Sequence, residues 1–300
     1  MSNYDLFVTQ LIIGLILGGM YALIAVGYTM VYGIISLINF AHGEIYMLGA
    51  FIAFTLVGSY GVPFYAAFFI SIIICALLGV VIEFVAYRPL RKAPRLAALI
   101  TAIGVSLFLQ NVAGILWSSK KQPFPAGTIP VYFKSTLFTL GSFEVKWMHM
   151  LILLVTISLM FALHLLIHRT KIGVAMRASA QDKTMSSLLG VNPNRVISAT
   201  FAIGSAMGAA AGIISGVYYN TIYPTMGYHA GIKAFAAAVL GGIGSIPGAM
   251  VGGFVLGVGE TLGSAYISSS YRHGIAYLLM ILIIIFKPSG LMGKAKVEKV

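Results

Sequence analysis

The apolar residues of this chain are gathered into long blocks that are almost free of charge, and this pattern constrains the fold more than any other feature. A helix needs about 20 predominantly apolar residues to cross a bilayer. Eight blocks are candidate membrane spans, at residues 8–34, 44–58, 64–86, 97–117, 148–167, 197–219, 232–264 and 273–286. They leave no room for a soluble domain. The pattern therefore predicts an all-α polytopic membrane protein, one transmembrane domain over 1–300 with about eight transmembrane segments.

A polar hexapeptide, Asn-Phe-Ala-His-Gly-Glu, stands between the first two blocks. An ionisable side chain at membrane depth costs at least a few kcal/mol, so it is seldom placed there without a polar partner or a task. We therefore predict a broken or re-entrant helix near 36–45. Two interpretations stay open: these side chains frame a transport pathway or relay a proton, or they satisfy backbone groups where the helix is interrupted. The residues concerned are Asn39, His42, Gly43 and Glu44.

The block 232–264 contains a second candidate break, the sequence Gly-Gly-Ile-Gly-Ser-Ile-Pro-Gly at 241–248. Broken segments that occur once in each half of a membrane protein point to a transport pathway. Glu260 lies later in the same block and is expected either to pair with a polar group of another span or to reach an interface. The residues that we assign to this break and the pathway are Gly241, Gly242, Gly244, Pro247, Gly248 and Glu260.

Most of the 19 basic residues lie in three regions, which the positive-inside rule predicts to be cytoplasmic: the loops 88–95 and 169–195 and the tail 287–300. Segment 118–147 is then external, and its prolines and glycine predict turns or a short hairpin. A single crossing by 232–264 would place the basic tail outside, so this segment is expected to enter and turn back. The net charge of +12 reflects these loops. Because the aromatic residues lie within apolar spans, we expect no nucleic-acid partner.

The loop 169–195 is amphipathic, and the sequence predicts one helix from Ile172 to Leu189, ended by Gly190 and Pro193. Such a helix suits docking of a soluble partner, and the alternative is a helix that lies on lipid. The residues that we assign to a partner-coupling surface are Arg177, Ala178, Asp182, Leu188, Leu189 and Gly190.

Sequence motifs of enzymes are missing from the chain. It has no GxxxxGK[ST] loop for ATP, no GxSxG and no HExxH. His42 and Glu44 alone are too few ligands for a metal ion. We therefore expect no cofactor, no metal and no catalysis, with any ATP hydrolysis on another chain.

Three long motifs carry a resemblance to a known family. They are YALIAVGYTMVYGIISLINFAHGEIYMLGAF (21–51), SLLGVN (187–192) and GIKAFAAAVLGGIGSIPGAMVGG (231–253). They resemble the LivH-type permease of branched-chain amino-acid ABC importers. The resemblance implies a multi-pass protein of the bacterial inner membrane that takes up Leu, Ile or Val. It also implies a pathway shared with a second, LivM-like permease, two cytoplasmic ATPase subunits that engage the 169–195 loop, and a periplasmic amino-acid-binding protein.

Alternative functions remain at this stage. Permeases for urea or short-chain amides are similar in the same motifs. An ion-coupled secondary carrier would use His42, Glu44 and Glu260, but it would be expected to hold more carboxylates at membrane depth. An intramembrane enzyme would need a nucleophile and a base, and the sequence offers no such pair.

Overall fold

The structure is a computed structural model that describes residues 3–91, 93–125, 127–140 and 143–293. Lys92 and the basic tail from residue 294 onward, which contributed to the sidedness prediction, lie outside the described residues. The helices are α1 (Asn3–Ile35), α2 (His42–Gly58), α3 (Phe64–Ile82), α4 (Arg95–Trp117), α5 (Trp147–Arg169), α6 (Lys171–Gln181), α7 (Lys183–Leu188), α8 (Pro193–Tyr219), α9 (Met226–Gly241), α10 (Ile246–Tyr266) and α11 (Arg272–Phe286).

Within the described ranges, seven helices are long and apolar enough to cross a membrane, and α2 is a shorter apolar helix of 17 residues. The prediction of an all-α polytopic membrane protein with about eight transmembrane segments is confirmed. Helices α1 and α8 are mostly buried and form the centre of the bundle, whereas α3, α4, α5 and α11 are mostly exposed. Their exposed residues are largely apolar, as expected for surfaces that face lipid.

The helices run between two ends of the molecule. Arg91, which follows α3, donates a hydrogen bond to Asn194 at the start of α8. At the same end Gly33, Met176 and Gly244 line one small cavity, which brings the ends of α1 and α6 next to the α9–α10 turn. We call this the basic end. It contains residues 88–91, 169–193, 242–245 and 287–293.

The opposite, far end holds the loops after α2, α4, α8 and α10. Gln122 and Ile222 exchange two backbone hydrogen bonds of 2.9 Å, which joins two of these loops. The predicted short hairpin is present as β1 (Thr136–Leu140) and β2 (Phe143–Lys146), an antiparallel pair. It lies after the Ile-Pro-Val-Tyr-Phe stretch of this loop, in which Val131–Lys134 forms a 3₁₀ turn.

The first predicted break separates α1 from α2. Helix α1 ends at Ile35, and Ser36 adopts a φ of 55°. Helix α2 then begins halfway along the neighbouring α4, since Glu44 contacts Ser106 near the middle of α4. At its other end Thr55 accepts a 2.6 Å hydrogen bond from Trp117, the last residue of α4. Helix α2 therefore covers only about half the depth that α4 spans.

The second predicted break is also present, between α9 and α10. Gly242 and Gly244 have φ values of 106° and 97°, which a residue with a side chain rarely adopts. Beyond the turn, Gly248 packs on Gly241 and Gly252 packs on Ala237, so α10 runs back along α9. The segment 232–264 thus turns back on itself, as predicted from the cytoplasmic assignment of the basic tail.

The residues that follow α11 pack against this turn. The backbone N–H groups of Leu291 and Met292 donate to the carbonyl oxygens of Leu240 and Gly241, at 2.9 and 3.0 Å. These are carbonyls at the end of α9 that have no partner within their own helix. Residues 287–293 therefore lie at the same end of the molecule as the turn.

The prediction of one helix from Ile172 to Leu189 is wrong. Helices α6 and α7 are separated at Asp182, whose carboxylate accepts hydrogen bonds from the N–H groups of Thr184 and Met185 at 2.8 and 3.0 Å. Aspartate is a favoured N-cap, because its short side chain satisfies N–H groups that the first turn leaves free. The predicted stop is present, since Gly190 has a φ of 86°.

The arrangement of the ends predicts how introduced cysteines react. We expect Ser270→Cys, at the far end, to react with a membrane-impermeant maleimide in intact spheroplasts. Ser289→Cys, at the basic end, should react only after the membrane is permeabilised. The native Cys75 is fully buried, so its background labelling should be low. Labelling of Ser289→Cys from outside would contradict a cytoplasmic basic end.

Candidate functional site

The hexapeptide forms the turn before α2 and the start of that helix, and we refer to Asn39, His42, Gly43 and Glu44 as the polar box. Its backbone starts the helix, since the N–H of His42 donates to the carbonyl of Asn39 at 3.0 Å. The side chain of Asn39 is held from the other side by Tyr87, whose hydroxyl donates to Oδ1 at 2.7 Å. Asn39, His42 and Glu44 are all buried.

His42 occupies a space that glycines leave open. Its ring lies edge-on to Tyr28, with centroids 4.9 Å apart, and it fills the gap opposite Gly27 of α1 and Gly204 and Gly208 of α8. A methyl group on Gly27 would come within 2.2 Å of His42 Nε2. Within the described residues, Nε2 has no hydrogen-bond partner. The histidine is therefore a buried polar residue that is packed tightly but not fully paired.

Glu44 is a fully buried carboxylate that faces α4. Its Oε1 accepts hydrogen bonds from Ser106 Oγ and Gln110 Nε2, both at 2.8 Å. Its Oε2 has no hydrogen-bond partner within the described part of the chain and lies against the backbone of Gly227. Sequence reasoning singled out Glu44 but missed Ser106, which carries no signal beyond being a hydroxyl one turn before Gln110.

The first turns of α2 and α9 cross at the polar box. A methyl group on Gly43 would lie 2.4 Å from the carbonyl oxygen of Gly227 and 2.9 Å from Gly231 Cα. Only backbones without side chains approach this closely. The box therefore meets the start of α9, whereas the predicted glycines and proline at 241–248 form the turn at the basic end.

Glu260 belongs to another cluster, which we call the ion cluster: Tyr21, Lys233, Glu260 and Arg272. Lys233 Nζ and Arg272 Nε both donate to Glu260 Oε1, at 2.6 and 2.7 Å. The Lys233 ammonium also donates to the Tyr21 hydroxyl at 3.2 Å. The expectation that Glu260 pairs with another span is thus met by α9 and α11. Sequence reasoning left Lys233 and Arg272 without a role, although a lysine inside an apolar block is itself a signal for a buried partner.

A cavity of about 340 Å³ lies beside the ion cluster, bounded by α1, α2, α8, α9, α11 and the loop 220–225. A second opening of about 620 Å³ is a groove along α4, lined by Gln110, Asn111, Tyr223 and His229. Gln110 connects this groove to Glu44, since it donates to the carboxylate. The polar box therefore lies next to the groove along α4, and the ion cluster lies next to the 340 Å³ cavity.

At the basic end, a buried carboxylate holds two loops together. Glu83 is fully buried, forms an ion pair with Arg91 and accepts a 2.7 Å hydrogen bond from Ser198 of α8. It begins a π-helical turn, Glu83–Tyr87, that extends α3. Because Tyr87 at the end of this turn holds Asn39, one short segment connects the 88–91 loop to the polar box.

The six predicted coupling residues have different environments. Arg177 donates to the carbonyl of Ile167 at the end of α5, and Asp182 caps α7, so both serve the fold of the loop itself. Ala178 is partly buried, and Gly190 forms the turn after α7. Leu188 and Leu189, in contrast, are 75% and 83% exposed.

The charge of Arg91 in the 88–91 loop also acts on Lys183 at the start of α7. Burial, together with the guanidinium group of Arg91, lowers the pKa of Lys183 below its ordinary value. The start of α7 and the 88–91 loop are therefore close enough for their charges to interact. In the part of the chain that the structure describes, no three His, Cys, Asp or Glu side chains are placed to hold a metal ion.

Comparison with known proteins gives full-length matches. Residues 10–284 match the family described as the permease component of branched-chain amino acid transport systems. The chain is 48% identical over 302 residues to the high-affinity branched-chain amino acid transport system permease protein BraD of Pseudomonas aeruginosa, with 98% of each chain covered. It is 47% identical over 307 residues to the corresponding protein LivH of Salmonella typhimurium, again with 98% of each covered.

Two further matches are more distant in sequence. The probable branched-chain amino acid transport permease protein LivH of Methanocaldococcus jannaschii is 28% identical over 288 residues, covering 93% of this chain and 90% of the relative. Among solved structures, PsaBC from Streptococcus pneumoniae in complex with Fab aligns with a TM-score of 0.47 at 12% identity, over 95% of this chain and 92% of that chain. The last likeness is too slight to support an argument.

The crossing of α2 and α9 predicts a stability difference between two glycine substitutions. Gly43→Ala should destabilise the protein by about 1–3 kcal/mol, the usual cost of overpacking, because the nearest atoms are backbone atoms of α9. Gly104→Ala is the matched control, since no atom lies within 4 Å of the added methyl group on α4. Thermal unfolding in detergent, followed by size-exclusion chromatography, measures both. Equal melting of the Gly43→Ala variant and the wild type would contradict this crossing.

Proposed function

This chain belongs to the family of permease components of branched-chain amino acid transport systems, and we propose that it is a membrane-spanning permease subunit of an ATP-driven importer of leucine, isoleucine and valine. One observation carries the proposal: nearly the whole chain aligns, at close to half identity, with permeases named for high-affinity branched-chain amino acid transport. The buried polar groups at membrane depth support it, since a purely structural bundle has no need of them.

The protein is a multi-pass membrane protein and one component of a larger transport system. We assign it to the bacterial inner membrane. Its partners in the proposal are a second, LivM-like permease, two ATPase subunits at the basic end and a periplasmic amino-acid-binding protein at the far end. ATP hydrolysis belongs to the separate ATPase subunits, because the sequence contains no GxxxxGK[ST] loop.

The polar box suits the wall of a translocation pathway. Glu44 and Gln110 lie where α2 and α9 both begin, so backbone and side-chain polar groups are concentrated at mid-depth. Irregular backbone at this depth is tolerated where protein or a water-filled cavity covers it. The groove along α4 continues from Gln110 to Asn111 and His229 toward the far end. We place the pathway in this groove, closed on its open side by the second permease.

The alternative of an ion-coupled carrier fits less well. It requires Glu44 and Glu260 to serve one ion site. Glu44 is bonded to Ser106 and Gln110, whereas Glu260 is neutralised by Lys233 and Arg272. Among the described residues the two carboxylates share no partner, so their geometry does not provide a common site. Urea or short-chain amide transport remains the alternative that differs only in substrate.

Reconstitution tests the function directly. The chain is inserted into liposomes with the second permease, the ATPases and the binding protein encoded with it, and uptake of radiolabelled leucine is measured. We expect uptake only with ATP and binding protein present, and competition by isoleucine and valine. Competition by urea or acetamide instead would identify the alternative substrate class. Leucine uptake by this chain alone under a proton gradient would overturn the importer proposal.

The pathway role of the polar box predicts a larger effect on transport than on assembly. Glu44→Ala leaves Ser106 and Gln110 without their acceptor, at a cost of about 1–3 kcal/mol. We expect this variant to insert and assemble while its uptake rate falls severalfold or more. Glu144→Ala is the control, because it removes an exposed carboxylate at the far end. If both Glu44→Ala and His42→Ala transport at the wild-type rate, the box has only a structural role.

The exposed leucines after α7 are our proposed docking surface for an ATPase subunit. Leu188 and Leu189 are mostly exposed beside a basic loop, and Met185, one turn earlier, is 60% exposed, so the three form an apolar surface that a partner would cover. The resemblance to ABC importer permeases adds that closure of the ATPases is transmitted through such a loop.

Charged substitutions test this surface. Leu188→Glu and Leu189→Glu should each weaken ATPase association by about 2 kcal/mol or more, as at an interface hot spot. ATP-driven uptake should fall while membrane insertion is unchanged. Gln181→Glu adds the same charge to an exposed polar position of the loop and should behave like the wild type. Normal co-purification and uptake of both leucine variants would move the docking site elsewhere, with the loop 88–95 as the next candidate.

A further inference from the structure

The cavity beside the ion cluster is a second polar space that the polar box does not explain. It holds about 340 Å³, within the range of roughly 300–1,000 Å³ that is typical of small-molecule sites. Tyr223 and His229 line both this cavity and the groove along α4, so the two spaces are neighbours separated by the start of α9. We call it the ion-cluster cavity.

The charges around this cavity are unbalanced. Lys233 and Arg272 line it, and both share one oxygen of a single carboxylate, Glu260. In this cluster of described residues, two cations and one anion leave one positive charge in excess. Lys233 is only 5% exposed, so water screens its charge poorly, whereas the Arg272 side chain is 35% exposed. A buried charge without full compensation is costly, and a bound anion would remove that cost.

The remaining wall of the cavity is aliphatic and aromatic. Leu17, Met20 and Ile24 of α1 contribute an apolar surface. Tyr46 and Tyr219 also line it. The cavity therefore offers cations for a carboxylate and an apolar wall for a hydrocarbon side chain.

We infer that the ion-cluster cavity binds an aliphatic amino acid, with Lys233 and Arg272 as ligands of its α-carboxylate and the α1 wall in contact with its side chain. The identity of the ligand as an amino acid rests on the proposed function, and the position and role of the two cations rest on the geometry. Arginine and lysine are the usual partners of carboxylates, since charge-assisted hydrogen bonds are stronger than neutral ones.

The position of the cavity indicates when the ligand occupies it. Thr221 and Tyr223, from the loop after α8, and Arg272, at the start of α11, place it toward the far end. In the proposed importer this is the side on which the binding protein delivers its ligand. The cavity is thus an entry station that precedes the polar box, and its occupancy does not require ATP.

Binding to the assembled importer tests the inference. The wild-type complex in nanodiscs, without binding protein, is titrated with radiolabelled L-leucine and with two competitors. 4-Methylpentanoate keeps the carboxylate and the side chain, whereas 3-methylbutylamine keeps the amine and the side chain. We expect 4-methylpentanoate to compete at least tenfold better than 3-methylbutylamine.

Two variants and one control locate the site. Arg272→Gln removes the excess charge but leaves the Lys233–Glu260 pair intact, and it should weaken leucine binding at least tenfold. Lys233→Gln should do the same; if this variant fails to assemble, Arg272→Gln decides alone. Lys120→Gln removes an exposed lysine at the same end that does not line the cavity and should bind leucine like the wild type. Arg272→Lys should bind within severalfold of the wild type.

The outcomes separate this inference from the proposed function. Stimulation of ATP hydrolysis by leucine-loaded binding protein is measured on the same wild-type complex. If that stimulation occurs but the wild type binds no leucine alone, or Arg272→Gln binds it normally, the cavity is not the site and the proposed function stands. Better competition by 3-methylbutylamine than by 4-methylpentanoate would also overturn it. If no branched-chain amino acid stimulates hydrolysis through the binding protein, the proposed function itself fails.

Discussion

The requirement that every backbone polar group be satisfied shapes this molecule, because one of its helices begins at membrane depth and two others meet in a tight turn at the basic end. At the first break, Asn39 and Ala41 supply carbonyl groups to the opening turn of α2, and Tyr87 holds the Asn39 side chain. At the second, Leu291 and Met292 reach the end of α9. Glycines make both solutions possible, since they allow backbone to lie directly against backbone. Glu44 lies beside the first break, where α2 and α9 cross.

The features that could be predicted from sequence are those that local chemistry dictates. Long apolar blocks predict spans, and a run of glycines with a proline predicts a turn, as at Gly242 and Gly244. Glu44 could be singled out as a site residue because an ionisable side chain in an apolar region is rare. The reversal of 232–264 followed from counting crossings against the basic tail, and the structure confirms it in the packing of Gly241 on Gly248.

The contacts that could not be predicted from sequence are those between side chains on different helices. Lys233 and Arg272 are separated along the chain, and only the packing of α9 and α11 around Glu260 joins them. Ser106 of α4 has no distinguishing neighbour in the sequence, yet its hydroxyl donates a hydrogen bond to Glu44 of α2. The interruption of the coupling loop was missed for another reason: helical periodicity continues through Asp182, and the capping preference of that one residue outweighs it.

The closure of the second break by residues after α11 has a consequence for the order of biosynthesis. The carbonyl groups of Leu240 and Gly241 receive their donors from Leu291 and Met292, which leave the ribosome only after α10 and α11. Until then the turn between α9 and α10 has two carbonyl groups without these native partners. The hairpin is therefore the last part of the bundle to be completed. A nascent chain that stalls before residue 291 therefore leaves the carbonyl groups of Leu240 and Gly241 without their native donors, however well the rest of the bundle has packed.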